Sequence, residues 1–304
     1  EMIVDLAEEL MSWNDYENGI VEVKYIANGF EAMNPDKYVE IIRSINQKAV
    51  PVRGNEYLMI SGLRPHLNND WSTGIEGELV KFSNIDEHAQ WVDITSGKLA
   101  EDGDVPKLPS HLRPNGALFP FIFHTTGRRT SHRLFYISKS RNSNSKKTET
   151  LSPNFVERLF TTLFSEEYIA SQFNSIKITV IPESSALDSI FKLPKLNKLF
   201  LQITPPNPDD LEDVEKSVYS RLSSMNVAKE EQTYYGEKDE SIKPDLELRQ
   251  LTEVASQNGY VSGVGKNPDN ITVHLSTKDK PLKEPITVDN DGVSEREALR
   301  SFRP

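Results

Sequence analysis

Hydrophobic and polar residues alternate cleanly at Ile20-Val21-Glu22-Val23-Lys24-Tyr25-Ile26. A period of two predicts a strand with Val21, Val23 and Tyr25 on one face and Glu22 and Lys24 on the other. Helical spacing replaces alternation elsewhere. Leu6, Leu10 and Trp13 predict a short helix over Val4 to Trp13. Asn34-Pro35-Asp36 opens another, with Tyr38, Ile41, Ile42 and Ile45 as its buried stripe. Strands are predicted at Glu56 to Ser61, Gly77 to Phe82 and Gln90 to Ile94, then Ala117 to His124 and Arg133 to Ser138 as a hairpin. Ser138 to Thr148 is polar, basic and low in complexity, and reads as a mobile loop. Ser152-Pro153 starts a helix carrying Phe155, Val156, Leu159, Phe160 and Leu163.

Ser175 to Ile181 and Lys198 to Thr204 are predicted strands. Asn207-Pro208-Asp209 is predicted to open a helix with Leu211, Val214, Val218, Leu222 and Met225 on one side. Pro244-Asp245 begins a helix expected to stop at Asn258-Gly259 through a left-handed cap. Short strands follow at Tyr260 to Val264, Ile271 to Ser276 and Ile286 to Asp289, and the charged last dozen residues are expected to fray. Strand, Asn-Pro-Asp and helix recur near residues 34 and 207, which reads as a shared good helix start rather than a duplication. Short strands mixed with helices, without strict β-α alternation, predict an α+β fold: mostly antiparallel mixed sheets with flanking helices in two subdomains. The expected division is 1–150, holding a basic hairpin and loop at 105–148, and 151–304, with the boundary between about residues 150 and 195.

Charge changes this picture at one place. The chain carries 35 basic and 46 acidic residues, a net of −11. Yet Val105 to Thr148 holds no carboxylate and nine of the bases, so the rest of the chain stands at −20. Such a block focuses positive potential, and a phosphate-bearing partner is its commonest use. Arg128, Arg129, Arg133, Lys139, Arg141, Lys146 and Lys147 are the candidate nucleic-acid contacts. Phe119, Phe121 and Phe123 share one strand face, where they are expected to be core rather than a base-stacking surface. A partner protein's acidic patch, or a second copy of the chain, is the rival occupant of the basic loop.

Three further constellations bear on chemistry. His124-Thr125-Thr126 and His274-Leu275-Ser276 both fit His-x-Thr/Ser, the signature of two-histidine phosphoesterases, where one imidazole is base and the other acid. Asp15, Glu22 and Lys24 mimic a metal-dependent nuclease core, although Glu22 and Lys24 read better as a plain polar strand face. The glycine run Gly259 to Gly265 has the wrong spacing for a dinucleotide loop and reads as a turn. Asp289-Asn290-Asp291-Gly292 reads as a hairpin turn rather than a calcium loop. No cofactor or metal site is expected, and binding is expected in preference to catalysis. Zero cysteines fit a reducing cytoplasm. The first residues lack the basic and apolar regions of a signal peptide, and an acidic first residue suggests a removed tag or leader.

One resemblance adds to this. Lys198 to Ile203 runs into Pro206-Asn207-Pro208-Asp209-Asp210, followed by Leu246 to Leu251, Asn258-Gly259-Tyr260-Val261 and a strand ending Ser276-Thr277. Gly74-Ile75-Glu76-Gly77 and Trp91-Val92-Asp93 agree in the first half. This order resembles the bacterial domain-of-unknown-function family numbered 4747. The resemblance implies a protein of bacterial genomes and prophages, near phage-defence genes, and brings no catalytic residues to carry over. A looser likeness of plan is to the phage-exclusion protein RexA, which binds DNA as a dimer. Together these imply a cytoplasmic, dimeric nucleic-acid-binding protein of a defence system, with a possible partner protein from that system.

Overall fold

The alternation around Val21 forms β1 (Tyr16–Ile26). The computed structural model describes residues 16–26, 35–85, 90–100, 109–124, 133–141, 148–173, 175–206, 211–286 and 295–301. The predicted helix at Val4 to Trp13 and the turn at Asp289 to Gly292 lie outside them. Next is α1 (Pro35–Ser44), with Pro35 in its first turn and Asp36 where the helix dipole favours an anion. Tyr38, Ile41, Ile42 and Ile45 are all buried, as their spacing predicts. Then come β2 (Val50–Arg53), β3 (Glu56–Leu67), β4 (Asp70–Ser83), β5 (Val92–Asp93), β6 (Lys98–Leu99), β7 (Ala117–His124), β8 (Arg133–Ile137), β9 (Lys139–Arg141) and β10 (Thr148–Thr150). Helices α2 (Pro153–Phe164) and α3 (Glu167–Phe173) precede β11 (Ser175–Val180). The chain continues through α4 (Ser185–Phe191), β12 (Lys195–Ile203), α5 (Asp213–Ser224), β13 (Glu230–Tyr235), α6 (Leu246–Gln257), β14 (Gly259–Lys266) and β15 (Thr272–Ser276). It closes with β16 (Lys283–Ile286) and α7 (Glu295–Ser301). The fold is α+β with antiparallel sheets.

The large sheet has the order β11-β1-β8-β7-β4-β3-β2, and β16 adds beside β1. Adjacent side chains on each strand face opposite ways, so the sheet has two distinct surfaces. One buries Ile75, Leu79, Phe119, Phe121, Phe123, Leu134 and Tyr136 against Tyr38 and Ile41 from α1 and Val156, Leu159 and Phe160 from α2. The three phenylalanines of β7 are therefore core. The Tyr136 hydroxyl, fully buried, donates to the Leu151 carbonyl at 3.0 Å. The opposite surface carries Ile122, Phe135 and Ile137, packed against Ile181, Ile286 and, from α7, Ala298 and Leu299. Within the charged last dozen residues, expected to fray, Glu295–Ser301 form a helix whose Ala298 and Leu299, flanked by Arg296 and Arg300, pack in this second cluster.

The segment Ser138 to Thr148 is partly strand, because β9 and β10 pair through Lys139↔Thr150 and Arg141↔Thr148. A second sheet, β13-β12-β14-β15, forms its own core with Leu199, Leu201, Ile203 and Val261 against Val218 and Leu222 of α5 and Val254 and Ala255 of α6. Leu151 to Val180 belong to the first core, and β16 with α7 returns to the first sheet. Residues from α4 to β15 supply the core of the second sheet.

Two predicted boundaries move. Helix α5 begins at Asp213, after Asn207-Pro208-Asp209, because Glu212 and Glu215 form a reciprocal capping box that satisfies the first backbone amides. Met225 then falls past the helix end and is exposed. Helix α6 does start where predicted, with the Asp245 carboxylate accepting from the Leu248 amide at 2.8 Å. Its end is not left-handed: Asn258 has φ −114. The glycine at 259 serves a different need, since a Cβ there would lie 1.9 Å from the Gln202 carbonyl oxygen of the neighbouring strand. The run from Gly259 to Gly265 is thus strand β14 itself rather than a turn.

Candidate functional site

Strands β3 and β4 meet at a two-residue turn, Asn68-Asn69, with φ of 51° and 58°. Asparagine tolerates this left-handed backbone, and the turn matches the strand twist. The register slips beyond Pro65, leaving a bulge on β4 before Ile75. Gly74 sits in that bulge with φ +135, and a Cβ there would lie 2.9 Å from the Phe123 carbonyl oxygen and 3.4 Å from the His66 Cβ. The missing side chain leaves space over which two imidazoles meet. The rings of His66 on β3 and His124 on β7 lie 5.5 Å apart, edge to face at 84°. His124 also contacts Phe135, at 5.5 Å.

Below them is a saturated carboxylate. Glu76 is 1% exposed. Its Oε1 accepts from Arg300 Nε at 2.7 Å and His66 Nδ1 at 2.9 Å, and its Oε2 from Arg300 Nη2 at 2.8 Å and Arg64 Nε at 2.9 Å. Arg64 lies directly opposite Glu76 in register. Arg300 arrives from α7, and Arg296, one turn earlier, pairs with Glu78. Burial alone would raise the Glu76 carboxyl. The hydrogen bonds from Arg300 and His66, the Arg300 charge and Arg64 outweigh it and hold the group below its ordinary 4.5. With Nδ1 donating to this carboxylate, the His66 ring is fixed and its Nε2 is left for other work.

Arg133 on β8 is the register partner of His124, and Glu22 of β1 is the next position across. Burial, with repulsion from His66 adding to it, holds the His124 imidazole below its ordinary 6.5, so it is neutral at neutral pH. Two guanidinium nitrogens, Arg64 Nη2 and Arg133 Nε, are buried without a hydrogen-bond partner among the described residues. An orphaned buried donor costs roughly 1–3 kcal/mol, which an arriving acceptor recovers. Three guanidinium groups (Arg64, Arg296, Arg300) pair with the carboxylates of Glu76 and Glu78, and Arg133 stands two strands away on the same sheet. The arrangement suits an oxyanion ligand. Beside it, Arg133 opens into a cleft of about 480 Å³ shared with Glu183, Leu187, Phe191, Arg249 and Glu253.

The residues singled out from sequence fall in several places. Arg128, Arg129, Lys146, Lys147, Thr125, Thr126 and Asp15 lie outside the described residues. Arg133 joins the histidine site. Lys139 opens β9 beyond the far end of β8, up to roughly 20 Å away at 3.3 Å per residue, where it lines a groove with Lys278 and Lys283. Arg141 is on β9, opposite Thr148. Among the described candidate contacts, Arg133 is therefore separated from Lys139 and Arg141 by the buried strand β8. His274 is exposed on β15 in the second sheet, opposite Val264, so the imidazole that meets His124 is that of His66. Glu22 and Lys24 occupy interior positions of β1, in register with Thr179 and Lys177. Among the described residues no group of three or more histidine, aspartate or glutamate side chains is placed to hold a metal ion.

A larger cleft, about 780 Å³, lies elsewhere, between α5, α6 and β13. Several of its polar groups are already used: Arg221 grips Glu230 at 2.7 and 3.1 Å, Tyr234 donates to Gln232, and Asp245 caps α6. The smaller site keeps unsatisfied donors and two facing imidazoles, so it is the better candidate. Sequence reasoning missed His66, Glu76, Arg64 and Arg300; the one available signal was the polar pair Glu76 and Glu78 set among the apolar residues of β4.

Among the described residues no helix is long and apolar enough to cross a membrane. Comparison with curated proteins finds no match. The family described as Domain of unknown function (DUF4747) matches residues 28–302, nearly the whole length. The chain is therefore a member of the DUF4747 family.

Proposed function

We propose that the protein binds nucleic acid through the arginine and histidine surface of the large sheet, as part of a bacterial phage-defence or prophage system. The observation that carries this reading is the pair of buried guanidinium nitrogens on Arg64 and Arg133, without a hydrogen-bond partner among the described residues, beside His66 and His124. Phosphate oxygens are acceptors only, and they satisfy such donors while matching their charge. Arg128 and Arg129, outside the described residues, belong to this reading through the charge of the sequence window alone. Lys139, Arg141, Lys146 and Lys147 are the further cations that the sequence window offers to the phosphates of a longer ligand. The defence setting and a homodimeric state rest on the resemblance seen in the sequence.

Fluorescence anisotropy with short single and double strands across a salt series tests this. Affinity is expected to fall steeply with salt, and Arg133→Glu is expected to weaken binding by at least tenfold and to flatten the salt slope. Arg128→Glu with Arg129→Glu is expected to act in the same direction. Binding indifferent to salt and to these replacements would refute the reading and favour a basic loop that docks on protein.

A further inference from the structure

We infer that the His66–His124 pair cleaves RNA by metal-free transesterification. The inference deepens the binding reading and rests on it. The geometry supplies the components. His66 is oriented by Glu76 through Nδ1 at 2.9 Å, leaving Nε2 for proton transfer. His124 stands 5.5 Å away, ring to ring, with no side chain at Gly74 between them. The neutral state of His124 fits it to accept a proton. Arg64 Nη2, on the strand of His66, and Arg133 Nε, across from His124, are the free donors for the nonbridging phosphate oxygens.

The step balances without a co-reactant. His124 takes the proton of a ribose 2′-hydroxyl. The 2′ oxygen attacks the adjacent phosphorus, forming a new O–P bond. The bond from phosphorus to the 5′ oxygen breaks, and that oxygen receives a proton from His66. The products are a 2′,3′-cyclic phosphate and a 5′-hydroxyl end. Nothing is oxidised or reduced, and solvent exchange restores both imidazoles. The same site can bind DNA but cannot cut it this way, because DNA has no 2′-hydroxyl.

The test uses the full chain with a labelled RNA of mixed sequence and its 2′-O-methyl counterpart, in chelator. RNA is expected to yield cyclic-phosphate ends, while the 2′-O-methyl strand binds and stays intact. His124→Ala and His66→Asn are each expected to lower cleavage by about 10²–10⁴-fold. Circular dichroism reports that both fold, since the Asn amide can still donate to Glu76, and cleavage is read at saturating protein so that weaker binding does not mimic the loss. If both strands bind and RNA stays intact, the inference fails and the binding reading stands. Failure of both strands to bind removes the two together. Cleavage that survives both replacements, or that depends on His274 instead of His66, also overturns it.

Discussion

Glu76→Gln is expected to destabilise the fold by about 3–5 kcal/mol, because it removes the shared anion from three cationic or polar donors in a buried place. Arg64, His66 and Arg300 all converge on that carboxylate, which is 1% exposed. The amide keeps the shape but offers one acceptor oxygen and turns an NH₂ toward the guanidinium groups. Arg300→Gln should cost far less, about 1 kcal/mol, since Arg300 is 41% exposed and water can replace it. Urea unfolding checks both, and equal costs would contradict a carboxylate-centred network. Acid gives a second reading. The folded Glu76 pKa is depressed, so its stabilisation is complete above the ordinary 4.5 and is lost as pH falls through the lowered folded value. The folded His124 pKa is depressed below 6.5, so the unfolded chain takes that proton first and stability also declines as pH drops below 6.5. Glu76→Gln should remove the lower of these two losses and keep the upper.

Gly74→Val is expected to cost about 2–3 kcal/mol and to abolish the imidazole contact. A β-branched residue at φ +135 is strained, and strain of this kind is worth about 1–3 kcal/mol. The new Cβ also presses on the Phe123 carbonyl, at 2.9 Å, and meets the His66 Cβ at 3.4 Å. Relief at Phe123 shifts the backbone that carries His124. Misplacement on the scale of 1 Å costs about 10²-fold in a reaction that needs two groups on one phosphate. RNA cleavage should therefore fall by about that factor while the 2′-O-methyl strand still binds. Unchanged cleavage would show that the contact of the two rings plays no part.

Local pattern made much of the first core legible. The stripe of α1 and the phenylalanine face of β7 each report one element's own burial, and the alternation of β1 reports its strand. The site was not legible in the same way, because its members come from β3, β4, β7, β8 and α7. Glu76 reads as the solvent face of a strand; only the arrival of α7, some 220 residues later, buries it and supplies Arg300. That arrival was hidden by charge: Arg296 and Arg300 look like a frayed end until Ala298 and Leu299 are seen to dock between Ile122 and Phe135. His124 was found through its tripeptide, but the partner assigned to it was His274. His66 lacks the following hydroxyl, and its approach depends on a bulge that single-sequence periodicity does not report. Arg133 was found by charge counting, which could not show that β8 separates it from Lys139.

Imidazole NMR of the full protein, titrated with a tetranucleotide carrying 2′-O-methyl groups, tests most directly whether phosphate binds on the sheet surface beneath α7. His66 and His124 resonances should shift together and saturate at one affinity, while His274 on the second sheet stays fixed. Movement of His274 alone, or saturation of binding with both His66 and His124 unmoved, would contradict that placement.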